Sequence, residues 1–150
     1  MKSFLDPKGG VLCQIKFKNL RILEIWKEGM KLTCEVYNHM RTCKDYGLRD
    51  QMQRASLSIP SNISEGYERH SNKEFIQFLY IAKSSCAELR TQLYLTMEVG
   101  IIDKMMGMEL VERTRKISAM IYKLIQTRRE KFYPIGIRSP HSRAFFSAAS

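Results

Sequence analysis

Chemistry in this 150-residue chain would have to come from few side chains. His39 and Cys43 stand four apart, a spacing at which two side chains share a helix face, as two zinc ligands do. No second pair of ligands follows at a recognisable spacing, so a core or surface role is the plainer reading and no metal is expected. His70 and His141 have no positioned partner in sequence. Nucleases built on helical bundles usually carry an Arg four to six residues before a His, and none of the three histidines here has one. Asp45, Asp50, Glu65 and Glu68 match no two-metal arrangement. Neither a Gly-rich phosphate loop nor a Gly-x-Ser-x-Gly turn is present. These residues point away from an enzyme and away from any cofactor. Phe75, Phe78 and Tyr80 offer rings for base stacking, but aromatics at helical spacing among aliphatics belong to a core. Tyr80 alone falls off the apolar seam, which suits an interface.

Binding is better supported than catalysis. There are 25 Lys+Arg against 15 Asp+Glu, a net charge of +10, which suits a polyanionic partner. That partner is either nucleic acid or an acidic membrane surface, and charge alone does not choose. RNA is the commoner of these, so nucleic acid, RNA ahead of DNA, is the expectation, while no apolar run approaches the ~18 residues of a membrane span. Residues 99–131 hold eight basic residues against four acidic. On a helix Arg113, Lys116 and Lys123 fall within about 80° of one another, with Arg128 further along. The alternative is a solvated face laced by pairs such as Glu112–Lys116. The first ten residues lack the apolar centre of a signal peptide, and Cys13, Cys34, Cys43 and Cys86 form no Cys-x-x-Cys pair. Both suggest a cytoplasmic protein with reduced thiols.

Four periodic segments must position these groups. From Leu20 to about Cys43, Leu23, Trp26, Met30, Thr33, Tyr37 and Met40 step at helical spacing. A second seam, Ile22, Ile25, Gly29, Leu32 and Val36, runs beside it. Asp45-Tyr46-Gly47 reads as a turn in which Gly47 stops that helix. Leu48 to about Gly66 carries a stripe of Leu48, Met52, Ala55, Ile59 and Ile63 that keeps its phase across Pro60. A proline there removes a backbone hydrogen bond, so a bend is expected, with nearby serines satisfying the freed carbonyl. Ser71-Asn72-Lys73-Glu74 is a capping box that opens a third helix to about Glu98. Its seam is Phe75, Leu79, Ala82, Cys86, Leu89 and Leu93, and Gly100 closes it. Asp103 caps a fourth helix to about Lys131, with Leu110, Ile117, Ile121, Leu124 and Ile125 inward. Short connections make an all-α, antiparallel up-down-up-down four-helix bundle. It occupies residues 19–131, between an N-terminal extension (1–18) and a C-terminal tail (132–150).

The stretch Tyr46-Gly47-Leu48-x-x-Gln51-x-x-Arg54-Ala55-x-x-Ser58-Ile59-Pro60-x-Asn62-Ile63-x-Glu65-Gly66 resembles one bacterial family. It is similar to the four-helix bundle proteins related to the 23S ribosomal RNA intervening-sequence protein. Ser71-x-Lys73-Glu74-Phe75-x-x-Phe78-Leu79-x-Ile81-Ala82-Lys83-Ser84-Ser85 and Glu88-Leu89-x-Thr91-Gln92-Leu93 extend the likeness, as does Phe17-Lys18-Asn19-Leu20. It covers roughly residues 17–130. The resemblance implies a ring of bundles, a homopentamer, and no established activity. It also implies a possible second role, as scaffold or accessory partner of a reverse transcriptase in diversity-generating retroelements. Gln53-Arg54, Gln77 and Ser84 depart from the family's usual residues, and each lost cation weakens a phosphate grip there.

Within that motif, Arg54, Asn62, Glu65 and Arg69 read either as a polar patch at a subunit junction or as hydrogen bonding around Pro60. The expected nucleic-acid residues are Arg113, Lys116, Lys123, Arg128, Arg54 and Arg69. Pro60, Asn62, Glu65 and Tyr80 are the expected interface or bend residues.

Overall fold

The computed structural model describes residues 18–132. Four helices follow in order: α1 (Leu20–Met40), α2 (Tyr46–Glu68), α3 (Asn72–Glu98) and α4 (Lys104–Phe132). Each successive pair packs together and α1 closes on α4, which gives the antiparallel four-helix bundle read from the periodicity.

Every helix starts on a side-chain oxygen that accepts from otherwise orphaned backbone N–H groups. Asn19 accepts from Arg21 (3.0 Å) and Ile22 (3.4 Å), and Asp45 accepts from Leu48 (3.0 Å). Ser71 accepts from Glu74 (3.2 Å), and Asp103 accepts from Met105 (2.9 Å) and Met106 (3.2 Å). Such caps stabilise a helix by about 1 kcal/mol each. The Ser71 box is not fully reciprocal, because Glu74 Oε2 accepts from the Ser71 hydroxyl at 2.7 Å. Gly47 does not stop α1. It lies in the first turn of α2, behind the Asp45 cap, and α1 ends instead at Met40 with Arg41 as its C-cap. Gly100 does close α3, with φ of 72°, a conformation that favours glycine.

The core is continuous from end to end. Ile22, Ile25, Leu32 and Val36 of α1 meet Met52, Ile59 and Ile63 of α2, with Leu79, Leu89 and Leu93 of α3 and Leu110, Ile117 and Ile121 of α4. Burying each such side chain stabilises the fold by roughly 1.5–3 kcal/mol. The second α1 seam is buried along its whole length, whereas the first is mixed: Trp26, Thr33 and Met40 are buried and Tyr37 is 42% exposed. That broad apolar face is accounted for inside the subunit, because α1 packs on both α2 and α4. Cys86 is fully buried in this core, and burial pushes its thiol up to about 12.

Helix α2 runs unbroken through Pro60, which is buried against α1. Proline has no N–H to give the Ser56 carbonyl four residues earlier. The serines do not fill that gap: Ser56 Oγ donates to Gln53 O (2.9 Å) and Ser64 Oγ to Pro60 O (2.9 Å). The donor comes from the neighbouring helix, where Thr33 Oγ1 lies 2.9 Å from Ser56 O and 2.9 Å from Gly29 O. The Gly29 carbonyl sits in an ordinary helical turn, so the single hydroxyl proton is of most use to Ser56. A Cβ added at Gly29 would lie 3.5 Å from the Pro60 ring, so the two helices meet closely there.

Among the described residues, no helix is long and apolar enough to cross a membrane.

Candidate nucleic-acid interface

The cations expected to grip phosphate are split among three settings. Arg113 is ion-paired with Glu35 of α1, and that hydrogen bond holds its guanidinium above its already high ordinary pKa. Lys116 lies 4.0 Å from Glu28, which also pairs with Lys31 at 2.8 Å. The Lys31 hydrogen bond is the main reason the Glu28 carboxyl sits below its ordinary pKa, against the opposing effect of burial. These charges join α4 to α1 rather than standing free. Glu112 pairs with Arg115 three residues on, not with Lys116. Lys123 is exposed and has no ion pair among the described residues.

Arg69 and Arg128 are brought together from distant positions. Both line a groove of about 210 Å³ at the α2–α3 turn, beside Tyr67, His70, Asn72 and Phe75. Each guanidinium lies over a ring at 5.0 Å, Arg69 on Phe78 and Arg128 on Phe75. Arg69 is also held by Glu65 at 2.6 Å, and Glu68 and Glu74 border the adjoining hollow. That concentration of carboxylates makes a poor phosphate seat. Arg54 is exposed on α2, away from this groove.

The motif's remaining residues serve the α2–α3 contact. Asn62 Nδ2 donates to Ser58 O (2.7 Å) and Ser58 Oγ (2.9 Å), and Ser58 is hydrogen-bonded to Ser85 of α3 at 2.9 Å. Gly66 lets α3 approach, since a Cβ there would come within 2.6 Å of Phe78 Cβ. Tyr80 is 42% exposed, off the buried seam as expected. Cys43 Sγ donates to the Asp45 carbonyl at 3.6 Å, and no three His, Cys, Asp or Glu side chains converge among the described residues.

Counting charge by segment missed the face between α3 and α4. Arg115 Nη2 of α4 donates to the Tyr94 hydroxyl of α3 at 2.9 Å. Two helical turns along, Lys83 Nζ of α3 lies 6.0 Å from the centre of the Tyr122 ring of α4, and Gln126 donates to the Tyr122 hydroxyl at 2.6 Å. Arg90 belongs to the same α3 stripe, and its Nη1 is buried without an acceptor. The signal was present as the heptad spacing Lys83, Arg90 and Arg115, Tyr122. It was hidden because α3 has as many acidic as basic residues overall.

The comparisons bear on the fold and the family. No curated protein matches the chain. The fold resembles a crystal structure from Bacteroides thetaiotaomicron VPI-5482, described as a protein with unknown function from the S23 ribosomal protein family. The TM-score is 0.67 at 18% identity, covering 71% of this chain and 98% of that one. The model of the family described as 23S rRNA-intervening sequence protein matches residues 21–123, and the chain belongs to that family.

Proposed function

We propose that this protein is a non-enzymatic, oligomeric bundle that binds nucleic acid through its basic exterior, RNA ahead of DNA. The observation behind this reading is the outward side of α4, where exposed Lys123 and Arg129 have no ion pair among the described residues. With a net charge of +10, such groups gain by displacing the counterions of a phosphate backbone. Arg113 and Lys116 contribute through the field of the whole surface, being already turned toward Glu35 and Glu28.

The test is a fluorescence anisotropy titration against RNA and DNA at several salt concentrations. Log affinity should fall linearly with log salt, at ~−0.7 to −0.9 per phosphate contacted. Lys123→Gln with Arg129→Gln should weaken binding and flatten that slope, and Arg113→Gln should alter stability more than binding. A parent protein that binds neither nucleic acid at low salt rejects the reading.

A second reading, a scaffold or accessory partner of a reverse transcriptase, draws on the apolar end of the bundle. Leu95, Val99 and Met105 are 50%, 56% and 81% exposed around the α3–α4 turn. Apolar groups gathered in this way suit a protein contact. Co-purification with an adjacent-gene reverse transcriptase would favour it.

A further inference from the structure

We infer that the α3–α4 groove is a seat for single-stranded nucleic acid, with phosphates on Lys83, Arg90 and Arg115 and bases stacked on Tyr94 and Tyr122. This rests on the nucleic-acid reading above and narrows it to one face and one form of the polymer.

The groove is built from two cation–tyrosine couples of opposite polarity. At one level the cation is Arg115 on α4 and the ring is Tyr94 on α3, joined at 2.9 Å. At the other the cation is Lys83 on α3 and the ring is Tyr122 on α4, 6.0 Å apart. Seven residues separate Arg115 from Tyr122 on α4 and eleven separate Lys83 from Tyr94 on α3, so the levels stand about 10–16 Å apart along the groove. Between them the facing positions are Ala87 and Arg90 on α3 with Ser118 and Ala119 on α4, so Arg90 is the one large side chain between the two couples. Ala87 and Ala119 are exposed and short, so neither side chain screens the two rings from the outside. Tyr94 and Tyr122 are 40% and 48% exposed, so each ring offers surface to a partner.

Charge favours a polyanion here. The facing positions between the two levels carry no acidic residue; Glu112, one turn from Arg115, is paired with it, so Lys83 and Arg90 carry the unpaired charge of this face. Arg90 supplies a further bias. Its Nη1 is sealed from solvent with no acceptor, an unfavourable state for a charged donor. Swinging outward to a phosphate oxygen would give that nitrogen a partner. A duplex cannot exploit the rings, because its bases are stacked on each other. A single strand can, since base–aromatic stacking combined with a cationic track is the usual means of holding one.

The experiment compares a short oligouridine, an oligothymidine of equal length and an RNA duplex, by anisotropy at one low salt concentration. The single strands should bind at least about tenfold more tightly than the duplex. Tyr94→Ala and Tyr122→Ala should each weaken single-strand binding roughly tenfold, in line with stacking contributions measured by alanine substitution. Tyr94→Phe and Tyr122→Phe should retain it. Lys83→Gln with Arg90→Gln should flatten the salt slope by ~0.7 per lost contact. Equal affinity for oligouridine and oligothymidine, or a preference for the former, supports the seat. If the parent binds but the duplex competes equally, or the alanine variants bind as the parent does, this inference falls while the broader reading stands. Alanine variants that keep full oligonucleotide affinity but change particle size in light scattering would assign the groove to subunit contact and overturn it. A parent that binds none of the probes ends both. Circular dichroism checks the fold, which exposed rings should not perturb.

Discussion

The Thr33 hydroxyl of α1 lies 2.9 Å from the Ser56 carbonyl of α2, the group that Pro60 deprives of its helical donor. Both residues are buried, Thr33 at 5% and Ser56 at 0% exposure, so water cannot take over. Removing the hydroxyl leaves a buried carbonyl unsatisfied, at about 1–3 kcal/mol. Thr33→Val should therefore destabilise the protein by that amount in a denaturant titration. Pro60→Ala restores an N–H to the carbonyl, so Thr33→Val should cost less in that background. A double-mutant cycle with no coupling would separate the two residues.

The same glycine-to-alanine change should act in opposite directions at two positions. At Gly66 the new methyl meets Phe78 Cβ at 2.6 Å and Phe75 Cδ2 at 3.0 Å. Phe78 Cβ is fixed to its backbone and cannot move aside cheaply. Overpacking of about 1–3 kcal/mol outweighs the gain of up to ~1 kcal/mol in helix propensity. Gly66→Ala should lower the denaturation midpoint. Gly47 meets only Asp45 Oδ1, at 3.6 Å, so Gly47→Ala should raise it slightly.

Acid should weaken the charge pairing around Glu28, most of it within α1. The Glu28 carboxyl has a lowered folded pKa, chiefly through its hydrogen bond to Lys31. Its contribution is therefore complete above the unfolded carboxylate value and is lost as pH falls through the folded one. Only 22% of the Glu28 side chain is exposed, but its main partner Lys31 is 34% exposed and within reach of water, so the effect is about 1 kcal/mol or less. Glu28→Gln should reduce stability at neutral pH by that much and not at strongly acidic pH. Thermal unfolding of both proteins across pH 2–7 would show the curves converge at the acid end.

Assembly is testable by light scattering. The proposed oligomer would bury the exposed apolar groups Leu95, Val99 and Met105. Met105→Glu with Val99→Glu should reduce particle mass while leaving helical content unchanged. A parent that is monomeric at micromolar concentration would remove the oligomer from the proposal.

Much of the bundle was legible because a single period of about 3.6 residues dictates which side chains are buried. The seam from Phe75 to Leu93 and the caps Ser71 and Asp103 are local features and lie where the sequence places them. What eluded the sequence depends on a second helix. The donor for Ser56 stands 23 residues away on α1, and nothing in the α2 motif announces it. Likewise Arg113 reads as a free cation until α1 brings Glu35 against it. The Tyr94–Arg115 couple needs the register between α3 and α4, which no local spacing supplies.

Cys86 carries a consequence for how motion in this bundle is timed. A thiol with a pKa pushed up to about 12, and sealed among Leu79, Ala82 and Leu89, has almost no thiolate to react at neutral pH. Cys34 and Cys43 are only half-buried and will meet an alkylating reagent in the native protein. Cys86 becomes modifiable only in molecules whose core has opened, so its labelling rate counts those openings. The chain thus contains its own chemical clock for core opening, readable by mass after alkylation and needing no engineered residue.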